Sequence, residues 1–229
     1  AVKGYMICTT PRSGSNYLSQ ILESTGVLGR PREYFNGPAR RVLDDPSYPD
    51  DVEAQIERIL TDGATANGVY ALKLFPDQFR RASARVRVVE RLPNLSFVRL
   101  RRRDILGQAI SWARALQTEQ YRSTQTAKGA AAYDVRLIIQ RIVEIARFEA
   151  AWDLYFARLT ASPLALDYET VAADPARVAQ ALAAQLQLDQ PVNVDATRIN
   201  LRIQRDDETD AWRERFTREH GDFNVFHTL

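Results

Sequence analysis

The sequence predicts an α/β protein, a three-layer sandwich in which helices cover both faces of a central parallel sheet. Four short apolar runs predict strands, and segments with helical spacing separate them. Strands that are apolar throughout and alternate with helices are typical of parallel sheets buried on both faces. The 229 residues are enough for one medium domain, and neither an internal repeat nor an interdomain linker divides them. We therefore expect a single domain over residues 1–229.

The first unit is predicted to be a strand, a tight loop and a helix. Residues 4–9 form an apolar run that ends in a stretch rich in threonine, proline, serine and glycine. Leu18, Ile21 and Leu22 then recur at helical spacing, and Gly26 follows where a helix C-terminal glycine is expected.

The rest of the chain repeats this alternation. Four prolines and little periodicity over 29–49 predict a long loop. Asp104 and Asp134 are predicted N-caps, the first of a strongly helical segment and the second of a long amphipathic helix. The remaining predicted elements are helices over 51–60, 105–117, 178–188 and 210–218, strands over 68–74, 95–100 and 163–168, and a loop over 118–133. Ligands of such sheets bind beyond the carboxyl ends of the strands, so the segments after each strand are the candidate site.

Composition limits the class of protein. With 45% hydrophobic and 26% charged residues, the chain is that of a globular protein, which excludes a disordered or collagen-like chain. A formal net charge of +2 does not indicate a nucleic-acid partner. Cys8 is the only cysteine, so no internal disulfide is expected. The two histidines lie at no recognised ligand spacing, and we expect no metal site.

The expected location of the protein rests on two further patterns. No run approaches the ~20 apolar residues of a membrane-spanning helix, so no membrane span is expected. The first residues lack the succession of basic, apolar and small side chains that makes a signal peptide. We therefore expect a cytoplasmic protein.

The loop after the first strand is a candidate anion site. Arg12 offers a fixed charge, Ser13 and Ser15 offer hydroxyl donors, and Gly14 lets the backbone approach a phosphate at the start of the helix, as in a P-loop. The Walker A pattern fails, because serine rather than lysine follows Gly14, which argues against a kinase or an ATPase. On position alone, an ordinary helix N-cap explains these residues equally well.

A second basic cluster follows the third predicted strand. Arg102 leaves that strand, and Ser111 lies about two turns into the next helix, so both can face the edge that carries the first loop. An arginine beside a hydroxyl suits a second phosphate, although a solvated basic run is the usual explanation for such a cluster. Two anion sites at neighbouring strand ends suit a nucleotide with phosphates at both ends of its ribose.

Several segments together match one family. They are 7–18, 25–27, 29–35, 73–74, 102–118 with its Gln-Ala-Ile-Ser-Trp core, and 167–169. In this order they resemble the bacterial carbohydrate sulfotransferases typified by trehalose 2-sulfotransferase. The resemblance implies a P-loop-like α/β fold. It also implies transfer of a sulfuryl group from 3′-phosphoadenosine 5′-phosphosulfate (PAPS) to a sugar hydroxyl.

The resemblance assigns roles to the two anion sites. The residues that it implies for the 5′-phosphosulfate are Arg12, Ser13, Gly14, Ser15 and Asn16, the last standing where the family usually has threonine. Arg102 and Ser111 would hold the 3′-phosphate. The missing Walker lysine is then understandable, because the donor has no β- or γ-phosphate.

The resemblance also implies a reaction chemistry. Glu33 matches the acidic residue proposed as general base in this family, and Arg12 or Lys73 would stabilise charge on the bridging oxygen. The reaction needs no metal. Relatives of this kind can be homodimers, and a carbohydrate is the expected acceptor.

One departure concerns the acceptor. The trehalose-specific pattern has an acidic residue where this sequence has Arg30, and an arginine cannot accept hydrogen bonds from sugar hydroxyls. Arg30 together with Arg32 favours an acidic glycan. Tyr34 and Trp112 are candidates for stacking on a ring, and Arg205 is a candidate nucleotide contact.

Two other functions remain open on the sequence. One is a P-loop-like nucleotide kinase, which the absent Walker lysine disfavours. The other is a non-catalytic module that binds phosphorylated ligands.

Overall fold

The sheet is parallel throughout, as predicted. A computed structural model describes residues 2–121, 125–160, 162–201 and 207–222. Its strands are β1 (Lys3–Cys8), β2 (Val69–Leu74), β3 (Leu95–Arg101) and β4 (Leu164–Asp167). They pair in the order β2-β1-β3-β4. The expected α/β class with a central parallel sheet is confirmed.

Helices cover both faces of this sheet. They are α1 (Ser15–Ser24), α2 (Gly37–Leu43), α3 (Val52–Thr61), α4 (Pro76–Ser83), α5 (Val88–Arg91), α6 (Ile105–Thr118), α7 (Val135–Ala157), α8 (Tyr168–Ala173), α9 (Pro175–Gln185) and α10 (Asp207–His220), with a 3₁₀ turn at Ala196–Arg198. Alternate residues of β1 point to opposite faces. Tyr5 and Ile7 belong to the core that includes α1 and α9, whereas Met6 and Cys8 belong to the core that includes α3 and α7.

The register of the sheet places three strand ends side by side. Cys8, the last residue of β1, pairs with Leu74 of β2 and with Arg99 of β3. Lys73 pairs with Ile7 one step earlier. The loop after β1, the end of β2 and the segment after β3 therefore meet at one edge of the sheet.

Two sequence expectations need correction. The predicted loop over 29–49 contains α2, whose N-cap Asn36 accepts a hydrogen bond from the backbone N–H of Ala39. Its second residue, Pro38, looks like a helix breaker in the sequence, but proline is well tolerated in a first helical turn. The predicted strand over 163–168 ends at Asp167, and Tyr168 begins α8 instead.

The last described helix completes a separate apolar cluster. Trp212 of α10 packs with Ile110 of α6 and with Ile138 and Ile145 of α7. This packing joins the C-terminal helix to the helix that follows β3. Among the described residues, no helix is long and apolar enough to cross a membrane.

Candidate functional site

The loop between β1 and α1, here called the β1–α1 loop (residues 9–14), has the backbone of an anion-binding turn. Gly14 is the N-cap of α1 and has φ of +84°, and Arg12 has φ of +62°. A Cβ at Gly14 would lie 2.1 Å from Cδ2 of Tyr168, so a side chain does not fit there. Glycine cannot cap the helix with a side chain, which leaves the first turn of α1 facing the site with its positive dipole end.

The hydroxyl groups of Thr9 and Ser13 hold this loop in place through hydrogen bonds. Thr9 Oγ1 donates to the carbonyl oxygen of Leu100 at 2.9 Å and lies 2.6 Å from Ser13 Oγ. Since the hydroxyl hydrogen of Thr9 points at Leu100, Ser13 is the donor to Thr9. Ser13 is fully buried, so its hydroxyl in this structure holds the loop against β3.

Arg12 and Ser111, predicted from separate segments, are in direct contact. Arg12 Nε donates to Ser111 Oγ at 3.0 Å, and Arg102 Nη1 lies 3.5 Å from the Arg12 carbonyl oxygen. Burial lowers the pKa of Arg12 to about 10, and the positive charge of Arg102 adds to this effect. Two arginines that repel one another beside a helix N-terminus form a place where an anion is stabilised.

Arg102 lies against an aromatic ring. Its guanidinium carbon is 5.2 Å from the ring centroid of Tyr168, the residue that also excludes a side chain at Gly14. Nη2 of Arg102 is 3.4 Å from Asp104 Oδ2, and its Nε is buried without a hydrogen-bond partner among the described residues. Among the described residues, the carboxylate that Arg102 meets is that of Asp104, at the long distance of 3.4 Å, so much of its charge remains to be balanced, which suits a phosphate oxygen.

Glu33 is joined to the β1–α1 side of the site through Lys73. Lys73 Nζ lies 3.6 Å from Glu33 Oε1 and donates a hydrogen bond to Asn16 Oδ1. Only 3% of the lysine side chain is exposed, so this ammonium is confined between its partners. The other carboxylate oxygen of Glu33 accepts hydrogen bonds from Asn36 Nδ2 and Gln78 Nε2, each at 3.1 Å. These two amide donors fix the position of the carboxylate.

Comparisons with known proteins identify the family of this chain. A family model described as Stf0 sulphotransferase matches residues 4–219. The chain belongs to the Stf0 sulphotransferase family. A trehalose 2-sulfotransferase from Mycobacterium tuberculosis (strain ATCC 35801 / TMC 107 / Erdman) is 29% identical, over 73% of this chain and 78% of that protein. One from Mycolicibacterium smegmatis is 27% identical, over 94% of each. The family resemblance inferred from the motifs is thereby confirmed.

A solved structure supports the fold of this Stf0 sulphotransferase. The crystal structure of a sulfotransferase from Alicyclobacillus acidocaldarius superposes with a TM-score of 0.56, covering 96% of this chain and 92% of that one. The two sequences are 16% identical, so the likeness concerns the fold.

Two further side chains hold the β1–α1 loop, and the sequence did not single them out for that role. Gln108 Nε2 donates to Thr10 Oγ1 at 2.8 Å and to the Pro11 carbonyl oxygen at 2.6 Å. Glu149 of α7 accepts a hydrogen bond from Thr10 at 3.2 Å and forms an ion pair with the buried Arg99. Gln108 lies inside the matching motif of α6, so a signal for it existed. Nothing local marks Glu149, which reaches the loop from a distant helix.

The two arginines expected to favour an acidic acceptor are both engaged elsewhere. Arg30 Nη1 donates to the carbonyl oxygens of Asp62 and Ala64, at 3.1 and 2.8 Å. Arg32 lies between Glu23 and Asp44, at 3.1 and 3.3 Å. The charge of Arg32 thus faces two carboxylates, whereas the charge of Arg30 faces backbone carbonyl oxygens, and an acidic sugar as the acceptor stays a prediction.

The predicted aromatic and C-terminal contacts fare differently. Tyr34 is 1% exposed and donates through its hydroxyl to the Arg30 carbonyl oxygen, so it belongs to the core. Trp112 is 8% exposed and lies under the guanidinium of Arg141. Neither ring presents a face for stacking on a ligand. Arg205 lies outside the described residues.

Proposed function

We propose that this Stf0 sulphotransferase transfers a sulfuryl group from PAPS to a hydroxyl group of a carbohydrate. The observation that carries the proposal is the meeting of Glu33, Lys73 and Asn16 beside the arginine pair at one sheet edge. The arginine pair suits an anionic donor. The Glu33 carboxylate, joined to Asn16 through Lys73, lies at the same edge of the sheet. Trehalose 2-sulfotransferases among its relatives support a sugar as the acceptor.

The residues fit a donor with two separate anionic ends. Residues 12–16 and the first turn of α1 would hold the 5′-phosphosulfate, through backbone N–H groups and the Arg12 guanidinium. Arg102 and Ser111 would hold the 3′-phosphate. Burial, and then the charge of Arg102, lower the pKa of Arg12, and this supports the assignment because a bound anion would stabilise the charged guanidinium.

The arrangement of Glu33 and Lys73 supports the following route for sulfuryl transfer. PAPS supplies the sulfuryl group when bound. The acceptor oxygen bonds to sulfur while the bond from sulfur to the phosphate oxygen breaks, and its electron pair leaves with adenosine 3′,5′-bisphosphate. Glu33 takes the proton of the acceptor hydroxyl, and Asn36 and Gln78 orient its carboxylate. Lys73, held between Glu33 and Asn16, places positive charge near the leaving oxygen.

Alanine at Arg102 is expected to weaken binding of adenosine 3′,5′-bisphosphate by roughly ten- to hundredfold, because a hydrogen bond to a charged group is lost. Isothermal titration calorimetry measures this. Arg103→Ala is the matched control, since that side chain is 65% exposed and pairs with Glu169 instead. Equal affinity in wild type and Arg102→Ala would contradict the proposed donor site.

A further inference from the structure

Arg213, on the last described helix, belongs to the same charged cluster as Arg102. Its Nη2 lies 2.6 Å from Asp104 Oδ2, and Arg102 Nη2 lies 3.4 Å from that same oxygen. The other oxygen, Oδ1, caps α6 by accepting from the backbone N–H of Gly107 at 2.9 Å. One carboxylate therefore serves three donors, and Arg213 holds it at a shorter distance than Arg102 does.

The local sequence keeps space open for this arrangement. Gly107 lies inside α6, where glycine weakens a helix relative to alanine. A Cβ at this position would lie 2.1 Å from Asp104 Oδ2 and 2.5 Å from Arg213 Nη2. Glycine is thus needed for the ion pair to sit over the first turn of α6.

The cluster has more donors than acceptors. Nε of Arg102 and Nε of Arg213 are both buried, and neither has a hydrogen-bond partner among residues 2–121, 125–160, 162–201 and 207–222. Burial alone raises the pKa of Asp104, but the hydrogen bonds from Arg213 and from the Gly107 backbone, and then the charges of Arg213 and Arg102, bring it below its usual range. Asp104 is therefore ionised, and Arg213 is the stronger of its two arginine partners.

We infer that Arg213 is a positioning residue for the 3′-phosphate of the nucleotide donor, acting through Asp104 on Arg102. This inference rests on the proposed function. A carboxylate next to a phosphate-binding arginine competes with the phosphate for that arginine. Arg213 takes up the carboxylate, so the charge of Arg102 stays available to the ligand. Stability explains the pair less well, because partly exposed ion pairs contribute little to it and Trp212 already packs α10 onto α6.

The test compares two nucleotides that differ only in the 3′-phosphate. Calorimetry with adenosine 3′,5′-bisphosphate and with adenosine 5′-monophosphate is run on the full chain. Arg213→Gln is expected to weaken bisphosphate binding about tenfold, as Asp104 turns to Arg102, and to leave monophosphate binding within about twofold. Asp104→Asn combined with Arg213→Gln is expected to restore bisphosphate affinity to within about threefold of wild type, since asparagine still caps the helix but no longer competes.

Arg215→Gln is the matched control on the same helix. Arg215 pairs with Glu219 at 2.8 Å, and its loss should leave both affinities unchanged. Equal weakening of both nucleotides by Arg213→Gln, or no recovery in the double variant, overturns the inference while leaving the proposed function intact. Failure of the wild-type chain to bind either nucleotide overturns the proposed function itself.

Discussion

Glu33→Gln is expected to lower the rate of sulfuryl transfer by about 10²- to 10⁴-fold while donor binding stays near the wild-type level. Glutamine keeps the shape of the side chain but has no basic oxygen that can take the acceptor proton. Glu33 lies 3.6 Å from Lys73 and accepts hydrogen bonds from Asn36 and Gln78, and the proposed function assigns it to the acceptor side of the site. Release of adenosine 3′,5′-bisphosphate from PAPS with a panel of sugars measures turnover, and calorimetry measures donor affinity.

Glu23→Gln is the control for this substitution. Glu23 is a half-buried carboxylate that also pairs with a basic side chain, Arg32, but on the far part of α1. Its turnover should equal that of the wild type. A Glu33→Gln variant that turns over normally would contradict the role of general base. If Glu33→Gln loses both donor binding and turnover, Glu33 instead maintains the structure of the donor-binding region.

The strands and most helices were predictable because their signals are local. Each parallel strand is a short apolar run buried on both faces, and caps such as Asp104 and Asp134 mark helix starts in the sequence and in the structure. Helix α2 was missed because the Gly37-Pro38 pair that starts it looks like a turn. Tyr168 was read as the end of β4, since nothing in its neighbours shows that the chain turns into α8 there.

The sequence predicts the individual residues of the candidate site but not the contacts between them. Family motifs indicate Glu33, Lys73 and Asn16 separately, and only the pairing of β1 with β2 brings their side chains together. Arg30 and Arg32 are close in the sequence but contact different groups in the structure. Arg30 donates to carbonyl oxygens in the turn before β2, and Arg32 pairs with two carboxylates. Arg213 carries no local signal, since it reaches Asp104 across 109 residues through the docking of α10 on α6.

Gly14→Ala is expected to abolish most of the affinity for the donor. Gly26→Ala is the matched variant for comparison. Both glycines have positive φ, +84° and +69°, so alanine costs each about 1 kcal/mol of backbone strain. At Gly26 no atom of the described residues lies within 4 Å of the added Cβ, whereas at Gly14 the Cβ overlaps the Tyr168 ring at 2.1 Å. That ring must move. The guanidinium of Arg102 packs on it, 5.2 Å from the ring centroid, and is therefore expected to move as well.

The two variants therefore separate strain from site geometry. Gly26→Ala should lower the melting temperature by roughly 2–4 °C for a chain of this size, and Gly14→Ala should lower it further because its Cβ also overlaps the Tyr168 ring. Affinity for adenosine 3′,5′-bisphosphate should fall at least about tenfold for Gly14→Ala, because both phosphate-binding regions shift, and should stay unchanged for Gly26→Ala. Equal affinity in the two variants would mean that the β1–α1 loop and Tyr168 adjust without disturbing Arg102. In that case the contact between Tyr168 and Arg102 does not hold the second anion site in place.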